Sequence, residues 1–222
     1  MISVASLTVA FGRTVALDGI DLEVEAGLTG LFGPNGSGKS TLLRVIAGLQ
    51  RPTAGSVAID GRPLTLREEP LRRRIGYAGH AAGLYPHLTV AENLELFSLL
   101  YGAPAARVGD ALEAIGLSGR ATTYAGDLSA GLMRRASVAR ALVHDPDVLL
   151  LDEPYANVDD DAAEMVSAAV QEWHSPGKVA LIATHGAKKV KAFADGGIIL
   201  REGRVVVAGR YGARERSPVR PS

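Results

Sequence analysis

A glycine-rich segment early in the chain has the residue types of a phosphate-binding loop. The loop and the residue after it are Gly33, Pro34, Asn35, Gly36, Ser37, Gly38, Lys39, Ser40 and Thr41. Glycines let backbone N–H groups wrap the oxygens of a triphosphate, and a helix that begins at the loop adds a favourable partial charge. In such a loop Lys39 reaches the β- and γ-phosphates, and the Ser40 hydroxyl binds Mg²⁺. The pattern alone indicates an NTPase or a kinase.

Two adjacent acids end an apolar run at residues 148–153, which reads Val-Leu-Leu-Leu-Asp-Glu. A buried strand with this sequence delivers Asp152 to the carboxyl edge of a sheet, where it can hold Mg²⁺ through water. Glu153 can orient an attacking water molecule and accept its proton, which favours hydrolysis over transfer to a second substrate. An acidic N-cap for the next turn is the alternative, and the phosphate loop upstream argues against it.

The elements around these residues follow the order β, then a helix-rich block, then β and α again. Alternation or apolar runs predict strands at residues 2–9, 20–24, 27–32, 148–151 and 179–183. Helical spacing predicts helices at residues 40–49, 89–100, 106–115 and 161–173, and one that begins after Ser129. We predict one α/β domain over residues 1–222, with a helical subdomain at about 83–143. The polar tail, residues 211–222, contains two prolines and is predicted to be frayed.

Composition excludes several classes of function. Lys plus Arg and Asp plus Glu are both 24, so the net charge is zero, and we predict no nucleic-acid partner. Cysteine is absent, which excludes disulfides and thiolate chemistry. No apolar run is long enough to cross a bilayer, and the first residues do not read as a signal peptide. We therefore expect a cytoplasmic protein that contacts a membrane only through a partner.

The segment Leu-Ser-Ala-Gly-Leu at residues 128–132, at the head of a helix and just before the acidic strand, resembles the signature motif of ABC ATPases. The usual form of that motif is Leu-Ser-Gly-Gly-Gln. Three further features fall in the order of that family: Phe11 after the first strand, residues 156–159 in the place of the D-loop, and His185 after a strand. The resemblance covers nearly the whole chain, from residue 2 to about residue 209.

This resemblance implies a P-loop fold of the ABC type: a mixed sheet core, an α-helical subdomain and an N-terminal antiparallel β region. It implies ATP and Mg²⁺ as ligands, Phe11 stacked on adenine, Glu153 and His185 as catalytic residues, and Ser40 and Asp152 at the metal. It also implies a head-to-tail dimer in which Ser129 and Gly131 bind the γ-phosphate held by the other copy. A transmembrane permease would be the second partner, at the inner face of the cell membrane.

Two departures from the family pattern bear on the site. Ala130 and Leu132 replace a glycine and the glutamine of the signature, while Ser129 and Gly131 remain. His80 stands where the family has a glutamine that offers an oxygen to Mg²⁺. An imidazole suits that cation poorly, so we interpret His80, a residue of the nucleotide site, as a contact to water or to the membrane subunit.

The finer features resemble the CcmA group, the ATPases of the cytochrome c maturation system, which are described as haem exporter subunits. These features are Gly79 and His80, the stretch at residues 83–94, and the Ser-Ala-Gly order of the signature. Drug and antibiotic exporters share much of the same loop and stay open as an alternative. A soluble ABC protein without a transport role is a further alternative, although machines of that kind usually need insertions or paired ATPase domains. A P-loop kinase is disfavoured because no lid for an acceptor is recognisable.

Overall fold

The computed structural model describes residues 1–65 and 68–211. Its strands are β1 (Ile2–Phe11), β2 (Thr14–Val24), β3 (Gly27–Phe32), β4 (Ala54–Ile59), β5 (Arg62–Pro63), β6 (Ile75–Ala78), β7 (Val148–Asp152), β8 (Val179–Thr184), β9 (Gly196–Arg201) and β10 (Arg204–Arg210). Its helices are α1 (Lys39–Ile46), α2 (Glu69–Arg72), α3 (Val90–Tyr101), α4 (Arg107–Ala114), α5 (Ala130–Leu142), α6 (Asp160–Trp173) and α7 (Ala187–Lys191). The predicted frayed tail lies outside the described residues except for Tyr211.

A six-stranded sheet forms the centre of the molecule, in the order β10-β9-β3-β8-β7-β6. Its strands are parallel except β10, which is antiparallel to β9 at the edge. The register sets Phe32 of β3 beside Thr184 of β8, and Asp152 of β7 beside Ala183 of β8. The carboxyl ends of three adjacent strands therefore meet at one edge, where ligands bind in open α/β sheets.

A second, antiparallel sheet has the order β2-β1-β4-β5 and begins the chain. The mixed central sheet together with this antiparallel region confirms the predicted fold class. Helices α3, α4 and α5 lie within the segment predicted to be helical. The bounds of that subdomain, 83–143, stay a prediction.

Two hydrophobic cores lie on the two faces of the central sheet. One packs Val148 and Leu150 with α1 and the antiparallel sheet, and the other packs Leu149 and Leu151 with the helices α3–α6. Because β7 is buried on both faces, its sequence is a continuous apolar run rather than an alternating one.

Local sequence explains where the helices begin. Thr89 is the N-cap of α3 and forms a capping box: its side chain accepts from the Glu92 N–H, and the Glu92 carboxylate accepts from the Thr89 N–H. Ser129 is the N-cap of α5, and its hydroxyl oxygen accepts from the Leu132 N–H at 3.4 Å, without the reciprocal bond of a capping box. The predicted helix over 40–49 is too long, because Gly48 has φ +69° and α1 ends at Ile46.

Strands β4, β5, β6, β9 and β10 are absent from the sequence prediction. β4 opens on three exposed residues and β10 is exposed along almost its whole length, so neither has a strong apolar pattern. Among residues 1–65 and 68–211, no helix combines the length and apolar character needed to span a bilayer.

Candidate active site

The phosphate loop joins the end of β3 to the start of α1. Gly38 has φ +102°, and a Cβ there would lie 2.6 Å from Leu17 Cδ2 and 2.7 Å from the Ala16 carbonyl oxygen. The loop therefore packs on β2 so closely that only glycine fits. The Gly203 N–H donates to the Ser37 carbonyl at 3.1 Å, which fixes the loop from the β9–β10 turn as well.

Lys39 is the first residue of α1, and only 6% of it is exposed. Its Nζ donates to the carbonyl oxygens of Gly33 at 2.8 Å and Pro34 at 3.1 Å. The ammonium group thus lies across the loop at the N-terminus of α1, where the first N–H groups of a helix lack intrahelical partners. This arrangement can bind an anion by charge and by backbone donors together.

Asp152 ends β7 with 2% of its surface exposed. Neither of its carboxylate oxygens has a hydrogen-bond donor within the described part of the chain. A buried carboxylate without partners is costly, and a divalent cation would satisfy both of its oxygens. Asp152 therefore fits the Mg²⁺ site predicted for it, and Ser40, the second residue of α1, supplies a hydroxyl of the kind that Mg²⁺ also accepts.

The structure brings Glu153 and His185 together. One oxygen of Glu153 accepts from the His185 backbone N–H at 2.9 Å, and the other lies 3.0 Å from His185 Nδ1. Glu153 has φ +51°, a left-handed conformation that costs energy for a residue with a Cβ and turns its side chain from the end of β7 towards β8. His185 is 68% exposed at its side chain, against 20% for Glu153. The carboxylate is therefore oriented by a histidine whose other ring nitrogen is left for a further contact.

The signature residues lie at a different place. Ser129 is exposed at the N-terminus of α5, and a Cβ at Gly131 would lie 2.7 Å from the Asn157 carbonyl oxygen. In the described chain neither residue has a hydrogen bond to the loop at 33–40. The residues predicted to bind phosphate across a dimer are thus not joined to the phosphate loop of their own chain.

Phe11 ends β1 opposite Thr14 in the β1–β2 hairpin, and 51% of it is exposed. The same hairpin carries Ala16 and Leu17, which pack on the phosphate loop. The ring of Phe11 is therefore open to solvent on the sheet that borders this loop.

The loop after β6 is held by two arginines of α5 that sequence reasoning missed. Arg140 donates to the carbonyl oxygens of Tyr77 at 2.7 Å and Ala82 at 3.2 Å. Arg134 donates to the Gly79 carbonyl oxygen at 2.6 Å. His80 is exposed between these anchors, and its own carbonyl lies 3.5 Å from Arg134 Nη2. The sequence does show arginines at positions 134 and 140 of the predicted helix, but only the structure shows that this helix is largely buried.

Burial lowers the pKa of the Arg134 guanidinium, and the negative charges of Asp152 and Glu153 oppose that shift. Burial likewise raises the pKa of Tyr77, and its hydrogen bond to Arg44 acts in the opposite direction. The edge formed by β7 and β6 is therefore a region of low solvent access in which one arginine faces two carboxylates.

Comparison with known proteins agrees with this arrangement. The sequence profile of the ABC transporter family matches residues 17–156. The chain is 38% identical over 204 residues to the Nod factor export ATP-binding protein I of Burkholderia orbicola, covering 90% of this chain and 67% of that protein. It is 40% identical over 214 residues to the sulfate/thiosulfate import ATP-binding protein CysA of Mycobacterium tuberculosis, covering 94% of this chain and 61% of that one.

Two solved structures resemble the fold along almost its whole length. One is the dimeric structure of a bacterial ABC transporter cassette, with a TM-score of 0.88, 28% identity, and coverage of 96% of this chain and 100% of that one. The other is the same cassette in a post-hydrolysis state bound to ADP and Pi, with a TM-score of 0.86, 28% identity and the same coverage of both chains.

Proposed function

The chain belongs to the ABC transporter family of ATPases, and we propose that it is the nucleotide-binding subunit that drives a membrane permease. One observation carries this proposal: the phosphate loop with Lys39, the free carboxylate of Asp152, and the Glu153–His185 pair meet at the carboxyl ends of β3, β7 and β8. Triphosphate binding, a metal ligand and a base for water activation are then available at one edge of one sheet.

We assign the binding of ATP to the loop at 33–41. Its backbone N–H groups and Lys39 bind the β- and γ-phosphates, and Phe11 stacks on the adenine ring. Ser40 and Asp152 would hold Mg²⁺, which when bound neutralises charge on the phosphate oxygens. Closure of the loop over phosphates replaces the carbonyl contacts that Lys39 makes in this structure.

We assign hydrolysis to Glu153 and His185. A water molecule attacks the γ-phosphorus, the bond from that phosphorus to the β–γ bridging oxygen breaks, and Glu153 accepts the proton that the water loses. His185 Nδ1 donates to the Glu153 carboxylate and orients it, and as an imidazolium the ring also carries a proton on Nε2, which can donate a hydrogen bond to the γ-phosphate as its charge develops. The products are ADP and inorganic phosphate.

We propose a head-to-tail dimer as the active form. Ser129 and Gly131 are not joined to the phosphate loop of their own chain, so the second copy supplies them to the γ-phosphate. The dimeric state of the bacterial cassette described above supports this arrangement. Each copy then contributes half of two composite sites, and opening or closing of the dimer is the motion delivered to the permease.

The groove between α1, α2 and the end of α3 fits a helical segment of that permease. It has a volume of about 290 Å³, and its apolar and aromatic lining residues are Ala47, Leu49, Ile75, Tyr77, Leu100 and Tyr101. Three arginines and one glutamate complete the lining, Arg72, Arg73, Arg140 and Glu69, and Glu69 is paired with Arg73, so the excess charge is positive. Leu49 and Leu100 are 62% and 54% exposed, which is costly without a partner. We therefore propose an apolar helix with an acidic flank as the occupant. A permease so docked would hold the chain at the inner face of the cell membrane.

The finer proposal, export of haem for cytochrome c maturation, rests on the sequence of residues 79–94 and of the signature. The relatives compared above are named for Nod factor export and for sulfate/thiosulfate import, so they do not favour haem over another cargo such as a drug or an antibiotic. The permease, rather than this subunit, touches the cargo. Its identity separates these candidates.

The test is recovery of the chain with its permease. The tagged full chain, purified in detergent from its own cells, should bring a polytopic membrane protein with it, and ATPase activity should rise when the two are reconstituted. Leu100→Asp should abolish both effects and leave the activity of the free subunit unchanged. Val206→Asp on β10, a residue that is 53% exposed at the far edge of the central sheet, is the matched control. An active chain with which no membrane protein co-purifies, and whose ATPase activity no membrane protein stimulates, would favour a soluble ABC ATPase instead.

A further inference from the structure

Arg134 is a buried cation in the helix that begins at the signature. It is 8% exposed, and all the hydrogen bonds of its guanidinium within the described chain go to backbone carbonyl oxygens. Burying a charge is expensive unless it is paired and hydrogen-bonded. A neutral side chain would avoid this cost in a helix that needs only to pack. The charge therefore calls for an explanation beyond packing.

The carbonyls that Arg134 binds belong to two separate segments of the site. Its Nη1 lies 2.6 Å from the Gly79 oxygen and 3.4 Å from the Asp152 oxygen, and its Nη2 lies 3.5 Å from the His80 oxygen. Gly79 and His80 begin the loop after β6, while Asp152 ends β7. One side chain thus connects α5, the loop and the strand end that carries the metal ligand and the base.

Charge explains why this residue is an arginine. Asp152 has no hydrogen-bond donor on its carboxylate within the described chain, and Glu153 is the next residue. Both carboxylates interact with the Arg134 charge through space and stabilise it. The planar guanidinium can hold carbonyls on two segments at once, which the single ammonium group of a lysine does less well.

Arg134 lies five residues after Ser129, about 7.5 Å along the helix axis. A rigid helix transmits a displacement of its N-terminus to a residue in its second turn. We propose that Arg134 is a positioning residue that couples the Ser129 end of α5 to the Asp152–Glu153 strand end and to the His80 loop. Contact between Ser129 and the nucleotide of the second copy then sets the geometry for hydrolysis in the chain's own site. This inference rests on the proposed function, because it needs the second copy.

Two neighbouring arginines give matched comparisons. Arg135 donates to the Ile115 carbonyl oxygen at 3.1 Å and contacts Met165, so it ties α5 to the helical side of the molecule and touches neither segment of the site. Arg140 anchors the loop at Tyr77 and Ala82 but has no bond to the end of β7. Only Arg134, of these three, joins the loop to the strand end.

The experiment measures dimer formation, turnover and local amide exchange on the purified full chain. In a Glu153→Gln background, ATP-stabilised dimers are detected by light scattering, and hydrogen–deuterium exchange is followed in residues 79–83 and 130–136. Arg134→Gln should form the dimer at an ATP concentration within about threefold of the parent, because the loop at 33–40 and Ser129 are intact. Exchange in residues 79–83 should slow on dimer formation in the parent and no longer do so in Arg134→Gln.

Turnover is measured with Glu153 present. Arg134→Gln should lower kcat about tenfold with KM within about twofold, and Arg134→Lys should recover part of the loss. Arg135→Gln should keep kcat within about twofold, although it is expected to lower thermal stability. A simple loss of packing would affect both variants through stability and would not separate kcat from KM.

The coupling is overturned if Arg134→Gln and Arg135→Gln have the same kcat, or if exchange in residues 79–83 slows equally with and without Arg134. If Arg134→Gln does not fold, the Glu153→Gln parent alone provides the test. Amide exchange in residues 79–83 that does not change when the parent dimerises would also overturn the coupling. The proposed function would be overturned by a different result: no ATP hydrolysis by the natural sequence, together with no ATP-dependent dimer of the Glu153→Gln variant. The two failures are therefore distinguishable.

Discussion

Lys39 has its ammonium group against two carbonyl oxygens of the phosphate loop, so its charge is already placed where a triphosphate would bind. We predict that Lys39→Ala lowers ATP affinity by about 10- to 100-fold, since a hydrogen bond to a charged group contributes about 1.5–3 kcal/mol. Titration with a fluorescent ATP analogue measures the change. Lys189→Ala, at an exposed lysine paired with Asp160, is the control and should bind normally. Unchanged affinity in Lys39→Ala would contradict the assignment of the loop.

Glu153 supplies the carboxylate of the Glu153–His185 pair, and we assign to it the role of the base that accepts a proton from water. We predict that Glu153→Gln binds ATP with nearly normal affinity and hydrolyses it at least about a hundredfold more slowly, because an amide is no base. The variant should accumulate an ATP-bound dimer, visible by size-exclusion chromatography with light scattering. Normal turnover would remove Glu153 from the mechanism.

Contiguity explains which of these residues the sequence could reveal. The residues of the loop at 33–41 are consecutive in the sequence, and so are Asp152 and Glu153. A pattern search can find both, because a phosphate-binding loop and a strand end each use consecutive residues. The roles of Arg134 and Arg140 could not be read from the sequence because they bind carbonyl oxygens 18 to 63 residues away, and a carbonyl is common to every residue type. The orientation of Glu153 by His185 likewise depends on the pairing of β7 with β8, which only the fold supplies.

Among the elements, the junction of α3 with the end of α5 contains a histidine, His144, whose surroundings disfavour its protonated form. His144 stacks on Tyr101 with ring centroids 4.0 Å apart and an interplanar angle of 13°. Burial lowers the pKa of His144 to about 4, from an ordinary value of 6.5, and the charge of Arg140 acts in the same direction. The folded protein therefore favours the neutral ring at physiological pH.

This junction should make stability depend on pH. Between pH 6.5 and about 4 the unfolded chain binds a proton at His144 that the folded chain does not, so the free energy of unfolding falls as the pH falls. Above that window the residue has no such effect. We predict that His144→Phe, which keeps the stack on Tyr101, removes about 2 kcal/mol of the loss between pH 7 and 4.5.

Urea unfolding at several pH values measures this difference. His87→Phe, at an exposed histidine in the loop before α3, is the control and should keep the pH dependence of the natural sequence. Equal slopes of stability against pH for the natural sequence and His144→Phe would show that the ring titrates normally. Exposure explains why sequence patterns did not predict β4 and β10. This junction could not be predicted for a different reason: the side chains of Tyr101 and His144 meet only in the fold.

At the scale of the whole molecule, His80 lies in the loop that follows β6, the strand whose Tyr77 lines the groove proposed for the permease. The loop that carries it is fixed by its backbone: Arg134 and Arg140 bind the carbonyls of residues 77, 79, 80 and 82. The exposed imidazole is therefore not needed to hold the loop. A role for it must come from outside the isolated chain, at the surface where a partner docks.

We predict that His80→Gln leaves ATP and Mg²⁺ affinity nearly unchanged in the isolated subunit. In the complex with the permease it should weaken the stimulation of ATPase activity, because the exposed imidazole is then available to contact the partner. If His80 instead faced the metal, the amide oxygen of glutamine would suit Mg²⁺ better and raise its affinity in the isolated subunit. ATPase activity of the isolated subunit and of the complex, for the natural sequence, His80→Gln and the control His87→Gln, separates the outcomes. Equal stimulation by the permease in all three would leave His80 as a loop residue without a part in coupling.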